Sequence, residues 1–310
     1  MARQLGMLAA GLAAVAAVAS SSAATLPSGA LTSRIAFSRG FSPERYEIWT
    51  LRGDGRELRR VTRACQWDWF PTWSPSRKQI AFTRACRGSF AVYIVNADGS
   101  HLRRLTPKSL DSEWPTWSPD GKRIAFEGTP VIPNPPPNAE RGEIYVIGAN
   151  GRGLRRLTRS HVADSNPAWS PDGRTILFSS RRAPLGNQLM LVSPRGGTAH
   201  ALGLHGGEPA WSPDGKRIAW GRGVKGAPAE TDDIWVANAD GSNARNLTRE
   251  KVGVASHHPS WSPDGLRIAF MSSKGPSSLW VVNAAGGGLR QLTRAPFEDA
   301  DPAWQPAPAR

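Results

Sequence analysis

Six residues stand directly before the proline of a recurring Pro-x-Trp: Phe70, Trp114, Asn166, Glu208, His258 and Asp301. Just upstream lie Asp68, Trp69, Glu113, Asp164, His257 and Asp299, and Trp67 adds aromatic surface. Carboxylates, an amide and imidazoles that converge can hold a cation. They can also receive a basic peptide segment, or move protons. Glu208 and Asp301 are the carboxylates to test for such an ion, calcium or zinc. A plainer duty is open as well, because Asp, Asn and Ser before proline form Asx-type turns. Four of the six histidines, His161, His205, His257 and His258, fall in the same kind of segment.

The common catalytic signatures are missing from the chain. It has no G-x-S-x-G nucleophile elbow, no H-E-x-x-H and no phosphate-binding P-loop. The repeated S-P-D-G puts glycine directly after aspartate, which breaks the S-x-D-x-G spacing of an Asp box. No catalytic residue is assigned.

Something must position the six residues, and a repeat does so. The tryptophan that follows each one recurs as Trp73, Trp117, Trp169, Trp211, Trp261 and Trp304, at intervals from 42 (Trp169 to Trp211) to 52 (Trp117 to Trp169). Periods of this size mark propeller blades and related arrays. Each unit has four β-rich parts: P-x-W-S-P; a run such as "RIAFEG" at Arg123–Gly128; a run such as "VYIVNAD" at Val92–Asp98; and "LRRLT" at Leu102–Thr106. The S-P-D-G and N-A-D-G-S stretches between them carry hairpin chemistry. The repeated Trp is expected to pack between blades. The first unit, from "RIAFSR" at Arg34–Arg39, lacks its opening strand, and "DPAWQP" at Asp301–Pro306 supplies one with nothing after it. The expectation is all-β: a six-bladed β-propeller of four-stranded antiparallel blades over 31–306, its ring closed by the two chain ends, with a tail at 307–310. Such closure removes open sheet edges.

W-S-P-D-G-x-x-I-A-F followed by I-W-V-x-N-A-D-G and R-x-L-T resembles the TolB-type six-bladed propellers, also called PD40 or WD40-like repeats. The resemblance covers nearly all of the chain after residue 30. Full-length members carry an α/β domain before the propeller that takes part in contacts with the Tol machinery. Here Leu31 follows an export-like leader almost at once, so that domain is expected to be missing. Six-bladed lactonases, which use channel-mouth Asp, Asn and Glu on calcium, offer a fainter resemblance through Asn166, Glu208 and Asp301.

The blade geometry sorts the loops. The short S-P-D-G and N-A-D-G turns share one face. The opposite, top face carries the variable loops, including "EGTPVIPNPPPNAERG" at Glu127–Gly142 and "GRGVKGAPAETDD" at Gly221–Asp233. Binding is usually placed on variable loops over a rigid frame. The two cysteines, Cys65 and Cys86, both belong to this top face, and a disulfide between them is expected. Arg59, Arg60, Arg103, Arg104, Arg155, Arg156, Arg245 and Arg290 lie on outermost strands, where charge discourages edge-to-edge pairing.

The formal charge of +14 raises the question of an anionic partner such as a wall polymer. Arginines spread round a rim do not form a nucleic-acid groove. Residues 1–24 read as a cleaved signal peptide: Arg3, an apolar run over Leu5–Ala19, then small residues, with a short linker at 25–30. A retained anchor is the alternative for that run, and no later stretch could span a bilayer. The sequence thus suggests an exported, monomeric, non-catalytic module of the periplasm, cell envelope or exterior, binding a protein or peptide through its top face and channel mouth. The alternative is a calcium-dependent hydrolase of the lactonase type.

Overall fold

The computed structural model describes residues 32–132, 142–182, 186–223, 232–249, 255–273, 276–294 and 296–308. The expected signal peptide and linker lie outside the described residues, as do 133–141 and 224–231 of the two long loops. The S-P-D-G turn is held by its own side chains. Ser118 Oγ donates to Asp120 Oδ1 at 2.5 Å, Asp120 Oδ1 accepts from the Lys122 N–H, and Ser118 Oγ accepts from the Arg123 N–H. Ser170 with Asp172, Ser212 with Asp214 and Ser262 with Asp264 repeat the hydroxyl–carboxylate contact. Gly121 sits at φ 68°, a left-handed conformation that glycine adopts without steric cost. These bonds to the ionised form hold the Asp120, Asp172 and Asp214 carboxyls below their ordinary value.

Every assigned element among the described residues is a strand. Unit one holds β1 (Arg34–Ser42), β2 (Arg45–Arg52) and β3 (Arg59–Arg60); unit two holds β4 (Trp67–Trp73), β5 (Gln79–Cys86), β6 (Ser89–Asn96) and β7 (Arg103–Arg104). Unit three is β8 (Leu110–Trp117), β9 (Arg123–Pro130), β10 (Glu143–Gly148) and β11 (Arg155–Arg156). Unit four is β12 (Asp164–Trp169), β13 (Ile176–Arg181), β14 (Asn187–Val192) and β15 (His200–His205). Unit five is β16 (Gly207–Trp211), β17 (Arg217–Gly223), β18 (Asp232–Asn238) and β19 (Arg245–Asn246). Unit six is β20 (Ser256–Trp261), β21 (Arg267–Ser272), β22 (Ser278–Asn283) and β23 (Arg290–Gln291). The last strand, β24 (Glu298–Trp304), pairs antiparallel with β1, with Ile35 opposite Trp304. Units three to six are separate four-stranded antiparallel sheets. Units one and two are joined into one eight-stranded sheet by a single parallel pair, Tyr46 with Trp67.

The L-T of the fourth part has a defined job. Thr62, Thr106, Thr158, Thr248 and Thr293 each accept, through Oγ1, the backbone N–H of a third-strand residue at 2.9–3.1 Å. Unit four has no such Thr, and its outer strand β15 is six residues long where the others have two.

Apolar side chains fill the seams between units. Trp117 lies with Ile94 of unit two and Ile124 and Phe126 of unit three; Trp304 lies with Phe37 of unit one and Val281 of unit six. A disulfide joins Cys65 to Cys86 with their Cα atoms 5.8 Å apart, as the sequence suggested. Closing a loop of this length stabilises a fold by about 2–4 kcal/mol. Among the described residues no helix is long and apolar enough to cross a membrane.

Candidate binding site at the central cavity

Each inner strand carries one extra residue where it meets its proline. The ladder steps from Trp69 to Thr72 on β4 while β5 advances only from Thr83 to Ala81. The same bulge occurs at Glu113/Thr116, Ser165/Ala168, Gly207/Ala210 and His257/Ser260, and where β24 pairs with β1. The residue before the proline takes a left-handed conformation each time: Phe70, Trp114, Asn166, Glu208, His258 and Asp301 have φ from 51° to 57°. None is glycine, so each holds a conformation costing roughly 1–2 kcal/mol. Bulges re-aim side chains, and all six of these residues line one central cavity of about 510 Å³.

The lining divides into two halves. Phe70 and Trp114 stack with ring centroids 3.5 Å apart, and both approach His258. The other half is charged. His258 Nε2 lies 3.1 Å from Glu208 Oε1, and its Nδ1 lies 2.8 Å from Asp301 Oδ1. Glu208 also accepts the His258 backbone N–H at 2.8 Å, and Ser38 Oγ donates to Asp301 Oδ2 at 2.7 Å. Burial opposes charge on the His258 ring, but the flanking Glu208 and Asp301 carboxylates outweigh it and carry its pKa up to about 10. Burial likewise opposes the Glu208 charge, and the charges and hydrogen bonds of His258 and His257 hold Glu208 well below the usual carboxylate range. His257 Nδ1 sits 3.6 Å from both Glu208 Oε2 and Asp232 Oδ2.

Other residues singled out from the sequence lie behind this lining. Asp68 is buried and bound by the Arg84 guanidinium through two 2.7 Å hydrogen bonds. Asp299 is held the same way by Arg39, at 2.6 and 2.8 Å. Asp164 is buried and accepts from Ser180 Oγ at 2.6 Å. Trp69 stacks on Trp67 at 5.0 Å and continues the aromatic surface outward from Phe70. Glu113 lies opposite Glu127 on the neighbouring strand. Burial and then the Asp111 charge push Glu113 up to about 7; burial and then the charges of Glu113 and Asp164 push Glu127 up to about 8. Among the described residues no group of three or more His, Cys, Asp or Glu is arranged to hold a metal ion.

Sequence reasoning passed over two kinds of participant. Ser38, Thr83 and Ser179, on second strands, bond a lining carboxylate or a bulge N–H: Ser38 to Asp301, Thr83 from Trp114 N and Ser179 from Glu208 N. Asp232 reaches His257 from β18. The aligned second strands, which read Thr, Glu, Ser, Gly, Met and Ser at this level, held the only signal for the hydroxyls.

An all-β array whose inner strands converge on a lined central cavity defines the protein as a β-propeller. The chain matches the PD40 family, the TolB beta propeller domain, over residues 137–308, more than half its length, and belongs to that family. It is 41% identical over 58 residues to the Tol-Pal system protein TolB of Bordetella pertussis, which is 18% of this chain and 13% of that protein. The match therefore spans well under two thirds of the curated relatives' length. TolB from Acinetobacter baumannii superposes with a TM-score of 0.77 at 24% identity, covering 90% of this chain and 68% of that one. A putative TolB from Agrobacterium tumefaciens gives 0.66 at 19% identity, covering 84% and 89%. Hydrazine synthase of Kuenenia stuttgartiensis gives 0.70 at 16% identity over 88% of this chain and 46% of that one, so the fold is shared well beyond TolB.

Proposed function

We propose that this protein is an exported, non-catalytic propeller of the cell envelope that grips a protein or peptide segment at its channel mouth and top-face loops. The frame is read as six four-stranded blades over 31–306, with β24 and β1 pairing the chain ends to close the ring. The pairing of β24 with β1 and the packing of β24 against both β20 and β4 support that closure. The observation that carries the function is the convergence of six non-glycine residues, one per blade, in a left-handed conformation around one cavity. Backbone cost of this kind gathers at binding and catalytic sites.

The lining fits a basic segment carrying an apolar or aromatic side chain. On the lining, Glu208 and Asp301 outnumber the charged His258 in a protein that is otherwise strongly basic. The stacked Phe70–Trp114 pair offers the apolar wall. A calcium-dependent hydrolase would need Asn166, Glu208 and Asp301 to meet on one ion. His258 standing between Glu208 and Asp301 favours the peptide reading over that one. The experiment is capture from an envelope extract by the full chain, by Trp114→Ala and by Glu208→Gln. A partner retained by the full chain and lost by both variants is expected; equal capture by all three would remove the mouth from the account.

A further inference from the structure

Directly behind the lining, each unit has a cross-strand pair between its first and second strands. Five units fill it: Trp69 with Thr83, Glu113 with Glu127, Ser165 with Ser179, His257 with Met271, and Ala300 with Ser38. In unit five the pair is Gly207 with Gly221. Neither glycine has a positive φ, so the backbone does not require glycine there. A Cβ on Gly221 would meet nothing closer than Glu208 Oε2 at 3.5 Å, and one on Gly207 nothing closer than 3.6 Å. The space for two side chains is present and unused. The result is a second cavity of about 390 Å³, beside the central one, bordered by Asn187, His205, Arg222 and Asp232 and sharing Asn166 and Glu208 with the channel. That volume suits a small molecule.

Arg222 identifies one end of the ligand. It occupies the place of Arg39 and Arg84 in units one and two. Those two guanidiniums lie over a third-strand ring, Trp49 at 5.4 Å and Tyr93 at 5.3 Å, and grip a carboxylate through two hydrogen bonds, Asp299 and Asp68. Arg222 lies over Trp235 at 4.8 Å in the same manner. The position that supplies the aspartate elsewhere is Gly206, and no carboxylate among the described residues pairs with Arg222. The Gly221 carbonyl oxygen and Trp220, where other units carry phenylalanine, leave no room: a Cβ on Gly206 would come 2.3 Å from the first and 2.5 Å from the ring of the second. Unit five thus keeps the arginine and its aromatic support but not the carboxylate. A planar guanidinium recognises carboxylates with two parallel bonds.

The remaining walls supply the other end. Glu208 and Asp232 present carboxylates, separated by His257. Asn166 Nδ2 and His205 Nδ1 are buried with no hydrogen-bond partner, and both residues border the cavity. Buried polar atoms of this kind are normally bonded. We infer that the Gly207–Gly221 hollow is a binding site for a small zwitterion of the α-amino-acid type, its carboxylate on Arg222 and its ammonium toward Glu208 and Asp232. This does not depend on the peptide reading of the channel.

Calorimetric titration of the full chain with L-alanine, L-serine and L-glutamate tests it, with acetate and methylamine as half-ligand controls. At least one amino acid should bind saturably and more tightly than either control. Arg222→Gln should weaken that binding by about tenfold or more. Gly221→Met, which installs the residue unit six carries at this level, should abolish it by filling the hollow while the melting temperature stays close to that of the parent. Absence of saturable binding by all three amino acids would overturn the inference. So would acetate binding as tightly as the amino acid, or Gly221→Met binding like the parent.

Discussion

At the scale of single residues, what sets the cavity lining apart is its backbone. The side-chain types at Phe70, Trp114, Asn166, Glu208, His258 and Asp301 were legible in the sequence because the proline and tryptophan after them hold a fixed phase. Their left-handed conformation was not, since a residue before proline ordinarily adopts extended backbone and nothing in the motif announces a bulge. Turn formation explained Asp and Asn at this position but not Phe, Trp or His; one bulge per inner strand explains all six. Three groups with raised pKa values shape the pH response: His258, Glu127 and Glu113, the last raised to about 7. The His258 pKa is raised to about 10 from an ordinary 6.5, so its stabilisation is complete below the ordinary value and is lost as pH climbs through about 10. The Glu127 carboxyl is raised to about 8 from 4.5, so the folded state holds a proton that the unfolded state releases, and stability falls as pH rises between those values. Glu127→Gln should therefore make the decline from about pH 4.5 to 8 shallower, leaving the part that Glu113 contributes up to about pH 7 and the later His258 loss in place. Chemical denaturation across pH measures both; an unchanged slope in Glu127→Gln would contradict the assignment.

Among the elements, the repeated L-T and the outer arginines carry most of the local logic. Thr106 is buried, and its Oγ1 takes the Val92 N–H at 3.1 Å. Thr106→Val keeps the shape and strands that N–H, and should cost about 1–3 kcal/mol in urea unfolding, while Thr106→Ser should recover most of it. A cost near zero for the valine variant would show that the hydroxyl is not a structural acceptor. The arginines on fourth strands were read as edge charges that discourage association. The structure adds a directed role. Arg103 donates to the Ala149 carbonyl, Arg155 to those of Pro194 and Arg195, Arg245 to those of Ala284 and Ala285, and Arg290 to that of Gly53. The first three find acceptors in the following unit and Arg290 finds one in unit one, so these four arginines tie unit to unit. Unit four was the least legible. It lacks the L-T, its outer strand lengthens, and the chain passes from His205 into β16 through Gly206 alone. Two adjacent glycines in "HGGEP" read as a loop in one dimension; only the register against Gly221 shows the hollow they leave.

Across the whole molecule, the fold divides labour between neighbours on one strand. Trp117 of β8 is buried in the seam between units two and three, and Trp114, three residues earlier, projects into the cavity at φ 56°. The first is frame; under the proposed function the second is held at a backbone cost for what it can touch. The architecture was legible because a seam between copies demands the same apolar residue in every copy. The site was legible only in outline, because its residues differ from copy to copy and their pairings, His258 with Glu208 and Asp301 above all, cross between units far apart in sequence. The measurement that bears most directly on the account is urea unfolding of Trp114→Gly beside Trp117→Gly. Trp114→Gly relieves a backbone cost of roughly 1–2 kcal/mol and forfeits an aromatic contact of similar size, so its stability should stay within about 1 kcal/mol of the parent. Trp117→Gly should lose about 3–5 kcal/mol or more. A loss at Trp114 as large as that at Trp117 would make it another framework residue and contradict the reading of the cavity as a site kept for binding.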